Sequence, residues 1–140
     1  MSREKTLILI KPDGVQLGLV GESINRIERK GYQLEALKVV NASKDQLEHH
    51  YSELIHKSFF REIEKYMQEG PIVAIIASGP HIIDVFHRMS GNTNPSLASF
   101  GTIRGDFGRE SNDGIIRNIV HSSDNVEHAK EEIKIWFPEL

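Results

Sequence analysis

Apolar residues recur along this chain with two different periods, and the periods alternate. Thr6 to Ile10 is a β-rich apolar run ended by Lys11-Pro12-Asp13-Gly14, a turn sequence. Val20, Ile24 and Ile27 then recur at i, i+4 and i+7 with charged residues between them, and Gly31 follows as a stop. That spacing predicts an amphipathic helix. Gln33 to Val40 reads as a second strand. Ser43-Lys44-Asp45-Gln46 fits a capping box, with Leu47, Tyr51 and Leu54 continuing at helical spacing. A second short helix is expected from Phe59 to Gln68, stopped by Gly70-Pro71. Ile72 to Ala77 is continuously apolar, as in a central strand buried on both faces. Pro80 is expected to open a helix that turns Ile82, Val85, Phe86 and Met89 inward.

Periodicity is lost from Gly91 to Asp113, where Gly, Asn, Ser and Pro are frequent. A loop of that length in a small domain points to function or disorder. Ile115 to Val120 reads as the last strand, and Asp124 with Glu127 as a helix start. Val126, Ala129, Ile133 and Trp136 give that helix its buried stripe, and Pro138 ends it. The order contains a split βαβ, so the expected fold is α+β, a ferredoxin-like sandwich with helices packed on one face of the sheet.

Composition narrows the function classes. The 140 residues make one domain, 1–140. A net charge of -3 argues against a broad grip on nucleic acid or an anionic membrane. Any phosphate site must therefore be a local concentration of positive groups. Cysteine is absent, which removes disulfides, thiol nucleophiles and Cys-based metal sites. No apolar run approaches a membrane span and no signal-peptide pattern opens the chain, so the expected location is cytoplasmic.

The richest stretch chemically is Asn118-Ile119-Val120-His121-Ser122-Ser123-Asp124. It presents an imidazole at a strand end, beside the start of a helix, where an anion could be held while the imidazole attacks it. No P-loop and no Gly-x-Gly-x-x-Gly is present. A Ser-His-Asp hydrolase built from these neighbours is disfavoured, since adjacent residues rarely converge and no nucleophile elbow exists. The remaining histidines lack metal-pair spacing, and no protein-built metal site is expected.

The stretch resembles the active-site signature of nucleoside diphosphate kinases. Lys11-Pro12-Asp13-Gly14-Val15-Gln16, Tyr51, Phe59-Phe60, Gly70-Pro71, Gly91-Asn92-Thr93-Asn94-Pro95 and Gly101-Thr102-Ile103-Arg104-Gly105-Asp106-Phe107 resemble further family motifs, in the family's order. The resemblance implies a four-stranded antiparallel sheet and transfer of the γ-phosphate of a nucleoside triphosphate, typically ATP, to a nucleoside diphosphate. It implies ping-pong kinetics through phospho-His121. Glu132 would hold the ring's other nitrogen with help from Ser123, and Tyr51 would line the site. Lys11 and Arg104 would neutralise the phosphates, Thr93 would donate a hydroxyl, and Asn118 with Lys11 would bind the ribose. Phe59 would stack on the base, with Ile63 and Ile115 beside it. Mg²⁺ would arrive with the nucleotide, with Asp124 as an outer partner. A homo-oligomer, a hexamer or alternatively a tetramer, is implied as well.

The chain departs from the family where His87 stands at an arginine position and Arg88 follows it. Arg88 is expected to reach the phosphates, with His87 as a lining contact. The segment 107–118 is longer than usual, and Ile116 stands where Gly is common. The rival reading is a catalytically impaired regulatory or scaffold protein on the same fold.

Overall fold

Lys5–Ile10 and Ile72–Ser78 form strands β1 and β3 of a computed structural model that describes residues 4–140. With β2, Gln33–Val40, and β6, Val120–Ser122, they make a four-stranded sheet in the order β2-β3-β1-β6. Every pairing is antiparallel, with Ile8 opposite Ile75 and Leu9 opposite His121. This is the expected ferredoxin-like order.

Side chains on the two central strands divide by parity. Ile8, Ile10, Ile75 and Ala77 pack under Ile27, Ile82, Ile83 and Phe86 from helices α2, Val20–Arg29, and α5, Ile82–Ser90. Leu7, Leu9, Ala74 and Ile76 pack against Leu47, Met67 and Trp136. Those come from α3, Lys44–His50, α4, Phe60–Met67, and α7, Val126–Trp136. The split βαβ thus places its two helices on one face, and a second helical layer covers the other. Burial on both faces is why β1 and β3 show no polar alternation. At the sheet edge, β2 does alternate, and it leaves Val39 65% exposed.

The Ser43 capping box is formed in full, its hydroxyl and the Gln46 side chain exchanging bonds with each other's backbone. Elsewhere the expected boundaries shift. The helix expected from Pro80 begins at Ile82, after His81 turns left-handed. The last helix is capped by Asn125 rather than Asp124, its carboxamide oxygen accepting from the His128 N–H. Val126 is consequently outside the buried stripe.

Two corrections bear on the site. The segment 91–113 is not structureless. It holds a 3-10 turn at Pro95–Leu97 and a short helix α6, Ile103–Phe107, whose Thr102 hydroxyl caps Gly105 N–H. Gly105 is required here, because a Cβ would collide with the Ser99 carbonyl. The strand expected over 115–120 is broken in two. Ile116–Arg117, β5, pairs with β4, Arg109–Glu110, as a hairpin outside the main sheet, and β6 begins only at Val120.

Candidate active site

The break between β5 and β6 is built by a carboxylate from α1, Pro12–Gln16. Asp13 accepts from the Ile119 N–H at 3.1 Å and from the Tyr66 hydroxyl at 2.6 Å. Tyr66 in turn accepts from the Asn118 N–H, and Lys11 N–H donates to the Ile119 carbonyl at 2.7 Å. These bonds hold Ile119 at φ 72°, a conformation that a β-branched residue adopts only when its surroundings impose it. The kink has a purpose that parity makes plain. Residues three apart on an unbroken strand face opposite sides. Turning the chain at Ile119 lets Asn118 and His121 serve one cleft.

Lys11 and Arg104 bring the positive charge. Both are buried, and neither forms a salt bridge among the described residues. Lys11 Nζ donates to Asn118 Oδ1 at 2.8 Å. The Arg104 guanidinium donates to the carbonyls of Asn118, Gly91 and Val120, at 3.1, 2.9 and 2.6 Å. Asp106, the simpler partner for Arg104, is instead bound to Arg26 and the Gly101 N–H. Burial first, and then Arg104, lowers the Lys11 ammonium from 10.5 to about 7, against a smaller upward pull from Asp13. Burial likewise lowers Arg104. The cleft therefore gathers two buried basic groups, with Asp13 acting on both and Asp124 on Arg104 as the carboxylates whose charge reaches them.

His121 on β6 stands beside these cations. Its Nε2 lies 2.9 Å from Glu132 Oε1, and the Ser123 hydroxyl donates to the same oxygen at 2.7 Å. Ser123 also accepts from the Leu7 N–H, which ties the carboxylate to β1. Burial, then Lys11 and Arg104, pushes the imidazole down to about 3, so the ring is neutral at pH 7. Burial raises Glu132. With Nε2–H donating to Glu132, the lone pair is on Nδ1. A neutral, oriented imidazole among cations is what nucleophilic attack on a phosphoryl group requires.

Sequence reasoning missed His50. Its ring packs edge-on against His121, with centroids 4.4 Å apart, and against Tyr51 and Trp136. The ligand atoms of His50, His121 and Glu132 lie within 4.8 Å of one another. His50 is already committed, however. Trp136 Nε1–H donates to His50 Nδ1 at 3.0 Å, which leaves the neutral ring's proton on Nε2 and no free lone pair for an ion. Asp13 and Tyr66 were the other omissions as site-building groups. Nothing local marks Tyr66, whereas the Lys-Pro-Asp-Gly turn does mark Asp13.

A second cleft, about 190 Å³, adjoins the cations. Phe59, 44% exposed, lines it together with Ile63, Tyr66, Ile115 and Ile116. Arg117 ties the two walls together, donating to Glu69 beyond α4 at 2.6 Å and to Asp113 in the hairpin at 3.0 Å. Thr93 meets the site through its carbonyl, which accepts from Asn118 Nδ2 at 3.0 Å. Tyr51 lines the cavity that His50, His121 and Glu132 share. Of the two α5 residues, His87 stands next to β6, its Nδ1 3.2 Å from the Ser122 hydroxyl. Arg88 lies on the solvent side, paired with Asp84 at 3.1 Å and with its side chain 69% exposed.

Residues 4–140 match a family model described as nucleoside diphosphate kinase. A nucleoside diphosphate kinase 1 of Saccharum officinarum is 46% identical over 97% of this chain and 89% of its own length. A nucleoside diphosphate kinase of Saccharopolyspora erythraea is 47% identical over 98% of each. Among solved structures, a Borrelia burgdorferi nucleoside-diphosphate kinase described as a transition state mimic with bound vanadate and ADP superposes with a TM-score of 0.89. Its identity is 33%, covering 96% of this chain and 87% of that one. With this fold, this match along its length and these groups around His121, the chain belongs to the nucleoside diphosphate kinase family.

Proposed function

We propose that the protein moves the γ-phosphate of a nucleoside triphosphate, typically ATP, to a nucleoside diphosphate through phospho-His121. The observation that carries this reading is a neutral, Glu132-held imidazole beside two buried basic groups, Lys11 and Arg104, that form no salt bridge among the described residues. His121 Nδ1 attacks the γ-phosphorus while the bond to the β,γ-bridging oxygen breaks, and its electrons pass to the departing diphosphate. Lys11 and Arg104 neutralise that developing charge. Nε2–H remains on Glu132, which steadies the charge that the ring gains. A second nucleoside diphosphate then attacks the phosphohistidine in the reverse sense. Lys11 and Asn118 meet the sugar hydroxyls, and Phe59 with Ile115 and Ile63 holds the base by its faces, which suits purines and pyrimidines alike. His87, rather than Arg88, is the α5 side chain assigned to line the phosphate end.

Mg²⁺ belongs to the same reading as part of the nucleotide. The Lys11–Arg104 cleft has no carboxylate cage for an ion of its own, and the charge of exposed Asp124 is felt at both Arg104 and His121. Asp124 fits a contact to the ion's water shell. The ion supplies charge neutralisation on the phosphate oxygens. Incubation with γ-labelled ATP is expected to give an acid-labile, base-stable label on the protein that chases onto added nucleoside diphosphate. An unlabelled, folded protein would refute the mechanism.

Nucleotide binding should depend on pH through Lys11. A bound polyphosphate favours the ammonium, whereas burial holds the free chain's Lys11 at about 7. Above that pH, binding must take up a proton, so affinity falls as pH rises, by up to about tenfold per unit. Calorimetry in buffers of different ionisation enthalpy should register the uptake, and Lys11→Arg, always charged, should abolish it. The folded-state value lies below the unfolded 10.5. Between about 7 and 10.5 the unfolded chain therefore binds more protons, and the unliganded chain gains stability as pH rises.

We also propose self-association through the β2 edge, where Leu37 and Val39 face solvent. A homo-oligomer, hexameric or tetrameric, is expected by light scattering at micromolar concentration, and a monomer would exclude it. No helix among the described residues is long and apolar enough to cross a membrane. A cytoplasmic location completes the proposal.

A further inference from the structure

We propose that His50 is a positioning residue for the transfer, a fixed wall that keeps the His121 ring turned with Nδ1 toward the cations. This rests on the phosphohistidine reading and adds a requirement to it. Glu132 restrains His121 through a single atom, Nε2. One hydrogen bond still leaves the imidazole free to swing about its χ2 bond. A swing would release Nε2 from Glu132 and turn Nδ1 away from Lys11 and Arg104.

His50 blocks that motion from the ring's flank. The two imidazoles meet at 73° with their centroids 4.4 Å apart. His50 is in turn held on two sides. Trp136, fully buried in the second helical layer, donates Nε1–H to its Nδ1, and the Tyr51 ring packs at 77° to it. Indole nitrogen can only donate, so this bond fixes the tautomer of His50 as well as its place. The wall is therefore anchored in the core through Trp136. The packing also needs an uncharged ring. His50 is pushed down to about 3, first by burial and then by His121, so no added cation competes with Lys11 and Arg104.

Two substitutions separate the wall from the tether. His50→Phe keeps an aromatic ring but offers Trp136 no acceptor. His50→Asn keeps an acceptor near the Nδ1 position but removes the wall. Nitrogen NMR of unliganded protein should show His121 in the Nε2–H form in the wild type and in His50→Phe. In His50→Asn a measurable share of Nδ1–H tautomer should appear. Because this readout needs no phosphoryl transfer, it stands apart from any failure of the kinase reading. In turnover, kcat of His50→Asn should fall by about 10- to 100-fold, the scale of a misplaced reacting group, with KM within about twofold. His50→Phe should retain kcat within about threefold. A His50→Asn protein with wild-type kcat and a single Nε2–H tautomer would overturn the proposal. So would equal losses in both variants with the tautomer unchanged, since that pattern marks a purely structural role.

Discussion

Replacing His121 with glutamine lowers turnover by roughly 10⁴- to 10⁶-fold, the range seen when a covalent nucleophile is removed. The reason is local. Glutamine offers an amide with no nucleophilic lone pair in place of Nδ1, so no phosphoryl-enzyme can form. The rest of the site stays in place. Ser123 still donates to Glu132, Lys11 still meets Asn118, and Arg104 still clamps its carbonyls. Nucleotide affinity should therefore change by no more than about fivefold, since one neutral contact is worth about 1 kcal/mol. Steady-state kinetics, label incorporation and equilibrium nucleotide binding on one preparation check this together. Substantial ping-pong turnover by a well-folded His121→Gln protein would remove His121 from the mechanism.

Arg104→Ala is the second large effect, and it strikes stability and activity at once. Two buried carbonyls, of Asn118 and Val120, and the part-buried one of Gly91 lose a charged donor, at about 1–3 kcal/mol for each buried group left unpaired. Relief of the like-charge strain on Lys11 opposes this, because Arg104 is the second cause of that lysine's lowered value. A net loss of about 3 kcal/mol is expected by denaturant unfolding. Transfer should slow by on the order of 10³-fold, as when an arginine is lost from a phosphoryl-transfer site. Arg104→Lys keeps the charge but cannot reproduce a fork that reaches Gly91, Asn118 and Val120 together, so it should recover stability only in part. A fully stable, fully active alanine variant would show that the clamp is idle.

The legible parts of the fold were those that neighbours in sequence decide. The runs at Thr6 to Ile10 and Ile72 to Ala77 announced central strands because nothing polar interrupts them. Ser43 announced its cap because Gln46 is three residues away. The break at Ile119 was hidden because its cause, the Asp13 carboxylate, is 106 positions distant. Short α6 escaped because five residues make too little of a period to detect. The same contrast holds in the site. Phe59 and Ile115, which line one cleft, were brought together by family motifs rather than by any local spacing. His50 has no spacing to other histidines that marks it, and its significance depends on Trp136, 86 positions later. His87 and Arg88 differ by about 100° of helix rotation, a difference that the motif register alone could not assign to a neighbour.

Arg117 has a thermodynamic consequence for the base cleft. Its bonds to Glu69 and Asp113 join the α4 wall to the hairpin wall in the free protein. On the proposed reading a nucleotide enters a slot whose width is already set, and it avoids the side-chain and loop ordering that costs about 0.5–1.5 kcal/mol per immobilised group elsewhere. That saving is the same for every base, because the tie touches the walls and not the ligand. On the proposed assignment of this cleft to the base, the tie favours every nucleoside alike and leaves any ranking among bases to the side chains that touch the ligand.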